Sequence, residues 1–150
     1  MDNMLNVLVH FVWATWDREP IIDESLEREL YRVIHSACCE MGCPVVALGG
    51  TEDHVHLLVS LSNTVTMADL MERVKGNSSR FASKSRKPDG WFKWQGSYGA
   101  FSVSPREKRK IIHYIANQKQ HHADGTLWPN AEKTHIIHDA ASESPTDQPD

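Results

Sequence analysis

His54 and His56 lie two residues apart in the run Asp53-His54-Val55-His56-Leu57-Leu58-Val59. In a strand, alternate side chains share a face, so both imidazoles project together at a spacing that suits one metal ion, while Val55, Leu57 and Val59 turn towards the core. A bare pair is equally compatible with two surface or core histidines. It also holds a catalytic metal poorly, so a further ligand is needed. Tyr114 and Gln118 are four apart and stack on one helix face, with Lys110 a turn earlier and His121 or His122 about a turn later. Alone, Tyr114 reads more readily as a half-buried core tyrosine than as a nucleophile. Joined to the histidine pair, the chemistry becomes specific. A metal held by two imidazoles and an amide oxygen polarises a phosphodiester, and a phenol beside it can attack phosphorus. Phenolate is also a good leaving group, so the resulting phosphotyrosine can be reversed or passed to another strand.

Those residues need a frame. Residues 4–14 alternate, with Leu5, Val7, Val9, Phe11 and Trp13 on one face and Asn6, Leu8, His10 and Val12 on the other, and predict a central strand because both faces carry apolar groups. Asp23 is a candidate N-cap for a helix whose buried stripe is Leu26, Leu30, Val33, Ile34, Ala37 and Met41, stopped by Gly42 and Pro44. Residues 44–50 and 54–61 read as two strands of a hairpin. Thr66 and Asp69 open the next helix, with Met67, Leu70, Met71, Val74, Ser78 and Phe81 inward. After a loop at 87–90 come a short strand near 100–103 and a helix from Ser104, Pro105 and Glu107 to about His121, which carries Tyr114 and Gln118. The order predicts an α+β, ferredoxin-like β-α-β-β-α-β antiparallel sheet with helices on one face, plus a C-terminal catalytic helix on the other. The expected domain spans 1–138. Residues 139–150 hold four acids, three Ser or Thr, two Pro and no base, the composition of a disordered tail.

The chain has 150 residues, 40% of them hydrophobic, which fits one globular domain with its own core. No apolar run approaches the roughly 18 residues of a membrane span, so a cytoplasmic protein is expected. Cys38, Cys39 and Cys43, an odd number in one short stretch, argue against a disulfide framework or a zinc site. A net charge of -4 looks unfavourable for a polyanion partner, but residues 72–123 hold 12 basic and 3 acidic side chains between acidic flanks. That asymmetry fits either a polyanion-binding face or an ordinary solvated helix surface.

The segments Gly49-Gly50-Thr51-Glu52-Asp53-His54-Val55-His56-Leu57-Leu58-Val59, Gly99-Ala100-Phe101-Ser102-Val103-Ser104 and Tyr114-Ile115-Ala116-Asn117-Gln118, leading to His121-His122, resemble the HUH-class single-tyrosine transposases of insertion sequences. The repeat-associated tyrosine transposases are related to these. The resemblance covers about residues 4–132. It implies a metal-dependent enzyme that cleaves and rejoins single-stranded DNA. His54 and His56 would be the metal-binding pair, Gln118 the third protein ligand and Tyr114 the nucleophile, with Mg²⁺ or Mn²⁺ as the metal. It further implies a 5′-phosphotyrosine intermediate, DNA ends recognised as imperfect hairpins, and a homodimer, with the tyrosine acting either in its own chain's site or, as in the short form of the family, in the partner's. Within the basic segment, Arg73, Lys75, Arg80, Lys84, Arg86 and Lys87 are candidates for hairpin phosphates, as are Lys93 and Lys110, and Trp91, Phe92 and Trp94 for stacked bases or core. Among rival readings, a histidine-triad hydrolase would need a third histidine where Leu58 stands. A non-catalytic or domesticated nucleic-acid-binding relative would need the basic face but not the four site residues.

Overall fold

A computed structural model describes residues 3–85 and 91–134. Strands β1 (Leu8–Ala14), β2 (Val45–Gly50), β3 (His54–Ser60) and β4 (Gly99–Val103) form one antiparallel sheet in the order β2-β3-β1-β4. Helix α1 (Glu24–Glu40) links β1 to β2, and α2 (Met67–Ser85) links β3 to β4. Two short helices, α3 (Lys108–Ala116) and α4 (Gln118–Asp124), follow the last strand. Each crossover leaves room for one intervening strand, which is the expected α+β ferredoxin-like arrangement.

The period-two alternation of β1 and β3 divides the sheet into two unlike faces. Val9, Phe11, Trp13, Val55, Leu57 and Val59 pack beneath α1 and α2, against Leu30, Ile34, Leu70 and Val74. Fully burying each Val, Leu, Ile or Phe side chain among these stabilises by about 1.5–3 kcal/mol. The opposite face carries a smaller apolar cluster, in which Leu8, Leu58 and Val103 meet Ile111 and Ile115 of α3. His10, His54 and His56 belong to this second face. At the ends of α1, the Asp23 carboxylate accepts the Leu26 N–H at 2.8 Å, and Gly42 takes the left-handed φ of 70° that stops the helix.

Several expected boundaries move. β1 begins at Leu8, because its neighbours on both sides run out at Ser60 and Val103, and Leu5 and Val7 are left exposed. On α2, Ala82 is buried, Phe81 is half-buried and Met67 is exposed. The expected helix over 104–121 is two helices. Residues 105–107 form a turn, so Ser104 and Pro105 do not cap it, and Asn117 (φ -110°, ψ 29°) breaks it. The Asn117 amide donates to the His113 carbonyl at 2.8 Å, competing with the helix ladder. Arg86, Lys87, the rest of the 87–90 loop and the expected tail at 139–150 lie outside the described residues.

Candidate active site

The histidine pair is set by β3, flanked by β1 and β2, with His56 opposite Val12 on one side and Gly49 on the other. Both rings are buried, with centroids 5.0 Å apart. Each is oriented through Nδ1. His54 Nδ1 donates to the Asp53 carboxylate at 2.7 Å, and a 2.8 Å hydrogen bond joins His56 Nδ1 to His10 Nε2. Both Nε2 atoms therefore face a common space beneath α3 and α4. Supporting a ligating imidazole through its second nitrogen is a recurrent feature of metal sites.

Gln118 reaches that space from the first turn of α4. Its Oε1 lies 3.3 Å from His54 Nε2, and its amide donates to the Tyr114 carbonyl at 3.1 Å. The kink at Asn117 does not separate Tyr114 from Gln118, and both are 1% exposed beside the histidines. The Tyr114 ring stands edge-on to His56, with centroids 5.9 Å apart. One chain thus gathers His54, His56, Tyr114 and Gln118.

Glu132, His122, Trp128 and His10 were not singled out from the sequence as parts of this cluster, His122 apart as an option. Glu132 accepts the Tyr114 hydroxyl through Oε1, while its Oε2 lies 3.1 Å from His56 Nε2 and 3.4 Å from His54 Nε2. His122 Nε2 sits 3.0 Å from His54 Nε2 and 3.2 Å from the Gln118 oxygen. The Trp128 indole stacks on the Tyr114 ring at 4.3 Å and 9°, and its backbone N–H donates to the tyrosine oxygen at 3.1 Å. The signal for His122 was its step of four from Gln118, and for His10 its place as an imidazole in an apolar strand. Nothing local marks Glu132. It arrives because Gly125 turns the chain left-handed after α4 (φ 67°) and because the carbonyl of Lys133 comes within 1.9 Å of where a Cβ on Gly99 would stand.

The electrostatics follow from this crowding. Burial disfavours charge on His54, but hydrogen bonds to Asp53 and Glu132 outweigh it and lift the pKa to about 9. Burial and then the neighbouring His56 push His10 down to about 3, so it is neutral. Burial also lowers His56, and burial followed by His54 lowers His122. Burial opposes ionisation of Glu132, yet its bonds from His54 and His56 hold the carboxyl well below the usual range. Tyr114 is raised to about 12 by burial and by its bond to that carboxylate.

The donor set tests well for a divalent cation. Ligand atoms of His54, His56 and Glu132 all lie within 4.8 Å of one another, and the amide oxygen of Gln118 adjoins them. Two nitrogens with hard oxygens suit a catalytic divalent ion with open positions rather than the closed, thiolate-rich cage of a structural zinc.

The expected nucleic-acid contacts fare unevenly. Arg73, Lys75, Arg80 and Lys84 are on α2, across the sheet from the histidines. Arg73 pairs with Glu40 at 3.4 Å. Lys75 is half-buried, its ammonium donating to the carbonyls of Gln95 and Ser97 at 2.6 and 3.3 Å, and burial lowers its pKa. Its geometry is that of a tether. Lys93 sits 4.0 Å over the Trp16 ring, and Lys110 4.9 Å over Trp128. Phe92 and Trp94 are core residues, with the Trp94 indole N–H donating to Ser78 at 2.9 Å, so neither offers a face to a base. Trp91 is half exposed. No described helix is long and apolar enough to cross a membrane.

Comparison with known proteins bears on the family and the fold. The model of the family described as "Transposase IS200 like" matches residues 3–118. The ISDra2 transposase TnpA of Deinococcus radiodurans is 25% identical over 114 residues, 73% of this chain and 81% of that protein. A crystal structure from Deinococcus radiodurans R1, described as that of a transposase, superposes with a TM-score of 0.62 at 26% identity, covering 79% of this chain and 95% of the other. A REP-associated tyrosine transposase, solved bound to a REP hairpin, shares the fold with a TM-score of 0.61 at 13% identity, over 86% of this chain and 78% of that one. The family-model match over residues 3–118, in a chain whose strand-borne histidine pair and tyrosine helix share one face of a ferredoxin-like sheet, places this chain in the IS200-like transposase family.

Proposed function

We propose that this transposase cleaves and rejoins single-stranded DNA through a covalent bond between Tyr114 and a 5′-phosphate. The observation that carries the reading is the Tyr114 hydroxyl, held by Glu132 against the Nε2 atoms of His54 and His56. His54, His56 and Gln118, joined by Glu132, are the residues that would hold a divalent metal such as Mg²⁺ or Mn²⁺. When bound, it would supply charge stabilisation on the scissile phosphate.

The chain's own groups do the rest. The Tyr114 oxygen bonds to phosphorus as its proton passes to Glu132 Oε1. The bond from phosphorus to the 3′-oxygen breaks, and that oxygen takes a proton from water, which regains one from Glu132 so that the carboxylate is restored. Rejoining reverses these steps with the 3′-hydroxyl of another strand, so no external energy source is required. Trp128, stacked on the phenol ring, fixes the direction of attack. Recognition of hairpin ends is proposed by analogy with the hairpin-bound structure that shares the fold.

The test is incubation with labelled hairpin-bearing single strands and Mg²⁺ or Mn²⁺, followed by a denaturing gel. The wild type should give a covalent protein–DNA band, and Tyr114→Phe should give none. A band that survives in Tyr114→Phe, or no band with either metal, rejects the mechanism. Chelation with EDTA should abolish the band, and excess Mn²⁺ should restore it.

A further inference from the structure

Beside the tyrosine lies a cleft that the catalytic cluster does not use. Arg106, Arg109, Lys110 and His113 follow one another at helical spacing along the exposed side of α3 and the turn before it. With Tyr114, His121 and Trp128 they line a cleft of about 520 Å³, and no acidic side chain lines it. Arg106, Arg109 and Lys110 form no ion pair with a described carboxylate. A second cleft, of about 500 Å³, opens near His122 and differs in including Glu52 and Asp53. The cleft along α3 therefore has the charge for a polyanion and is continuous with the nucleophile.

The chemistry of attack decides which strand belongs there. In phosphoryl transfer the attacking and leaving oxygens lie roughly in line on opposite sides of phosphorus. The departing 3′-oxygen and its strand must lie beyond the phosphorus as seen from Tyr114. The strand that stays attached leaves phosphorus sideways to that axis through its 5′-oxygen, and can turn back along the tyrosine's own side. That side is the α3 cleft. From Arg106 to His113 the basic face extends about 10 Å, enough for a short stretch of backbone.

Resting on the covalent-tyrosine reading, we propose that Arg106, Arg109 and Lys110 bind the phosphates of the strand 3′ to the cut, the one joined to Tyr114. The cleft holds this strand after cleavage and keeps its phosphorus aligned for the incoming 3′-hydroxyl.

The experiment compares the wild type with Arg106→Ala/Arg109→Ala, using labelled oligonucleotides with a constant 5′ flank and 3′ flanks of increasing length. Wild-type adduct yield should rise over the first few 3′ nucleotides. The double variant should lose that rise, falling at least tenfold with the long substrate, while trimming the 5′ flank affects both proteins equally. Arg106→Lys/Arg109→Lys should recover most of the yield, because the role is charge rather than shape. A double variant that retains the wild-type dependence on 3′ length, or that loses yield only when the 5′ flank is present, overturns the assignment while leaving the tyrosine mechanism standing. Absence of any wild-type adduct removes both.

Discussion

Glu132 bridges the phenol of Tyr114 and both histidines, so one carboxylate links the nucleophile to the candidate metal ligands. Glu132→Gln keeps the shape but removes a charged acceptor. Adduct formation should fall at least tenfold and the Mn²⁺ requirement should rise by about 10- to 100-fold, with hairpin affinity unchanged in a gel-shift assay. Equal loss of hairpin affinity would instead mark Glu132 as structural. Among the cysteines, Cys39 is exposed while Cys38 and Cys43 are buried. Burial, reinforced by Cys43 and Cys39, pushes the Cys38 thiol up to about 12. A maleimide should therefore label one thiol in the native protein and three in denaturant, as read by mass spectrometry. Native labelling of all three would contradict the packing of α1.

At the scale of elements, the contact between β2 and α3 sets where the tyrosine stands. A Cβ on Gly49 would lie 2.3 Å from the Ile115 carbonyl oxygen, a backbone atom that cannot rotate away. Gly49→Ala should destabilise the fold by about 1–3 kcal/mol in urea unfolding and reduce adduct formation by displacing α3. Loss of neither would mean that α3 can shift without cost. Helix α1, by contrast, packs on the other face of the sheet and meets α4 through the Glu27–Lys119 ion pair at 2.7 Å. Asp23→Ala removes its cap and should cost about 1 kcal/mol of stability with adduct formation unchanged. A simple continuous helix was expected from residues 104–121, because periodicity cannot register a single Asn whose side chain bonds back to His113.

For the molecule as a whole, one chain supplies every member of the cluster, whereas family resemblance suggests sites composed from two chains. Mixing Tyr114→Phe with His54→Ala/His56→Ala should therefore restore no covalent adduct. Restored adduct in the mixture would show that tyrosine helices are exchanged between copies. The two basic regions also separate in space. The cations of α2 stand on one side of the sheet, and those of α3 stand beside Tyr114 on the other. The partition of charge along the sequence does not reveal this, since both regions fall within one basic segment.

The strand-borne histidines, the four-residue step that brings Gln118 beside Tyr114, the order of elements and the basic middle were all legible in the sequence, whereas the break at Asn117 between those two residues was not. Each depends on local periodicity or composition, which residues two or four apart express without reference to the rest of the chain. Only the tertiary structure decided that Phe92 and Trp94 fill the core, that Lys75 spends its charge on two carbonyls, and that Glu132 meets Tyr114 from 18 residues away. These outcomes depend on which surfaces meet, and they turn on features such as the missing Cβ of Gly99, whose consequence appears only when a distant backbone packs against it.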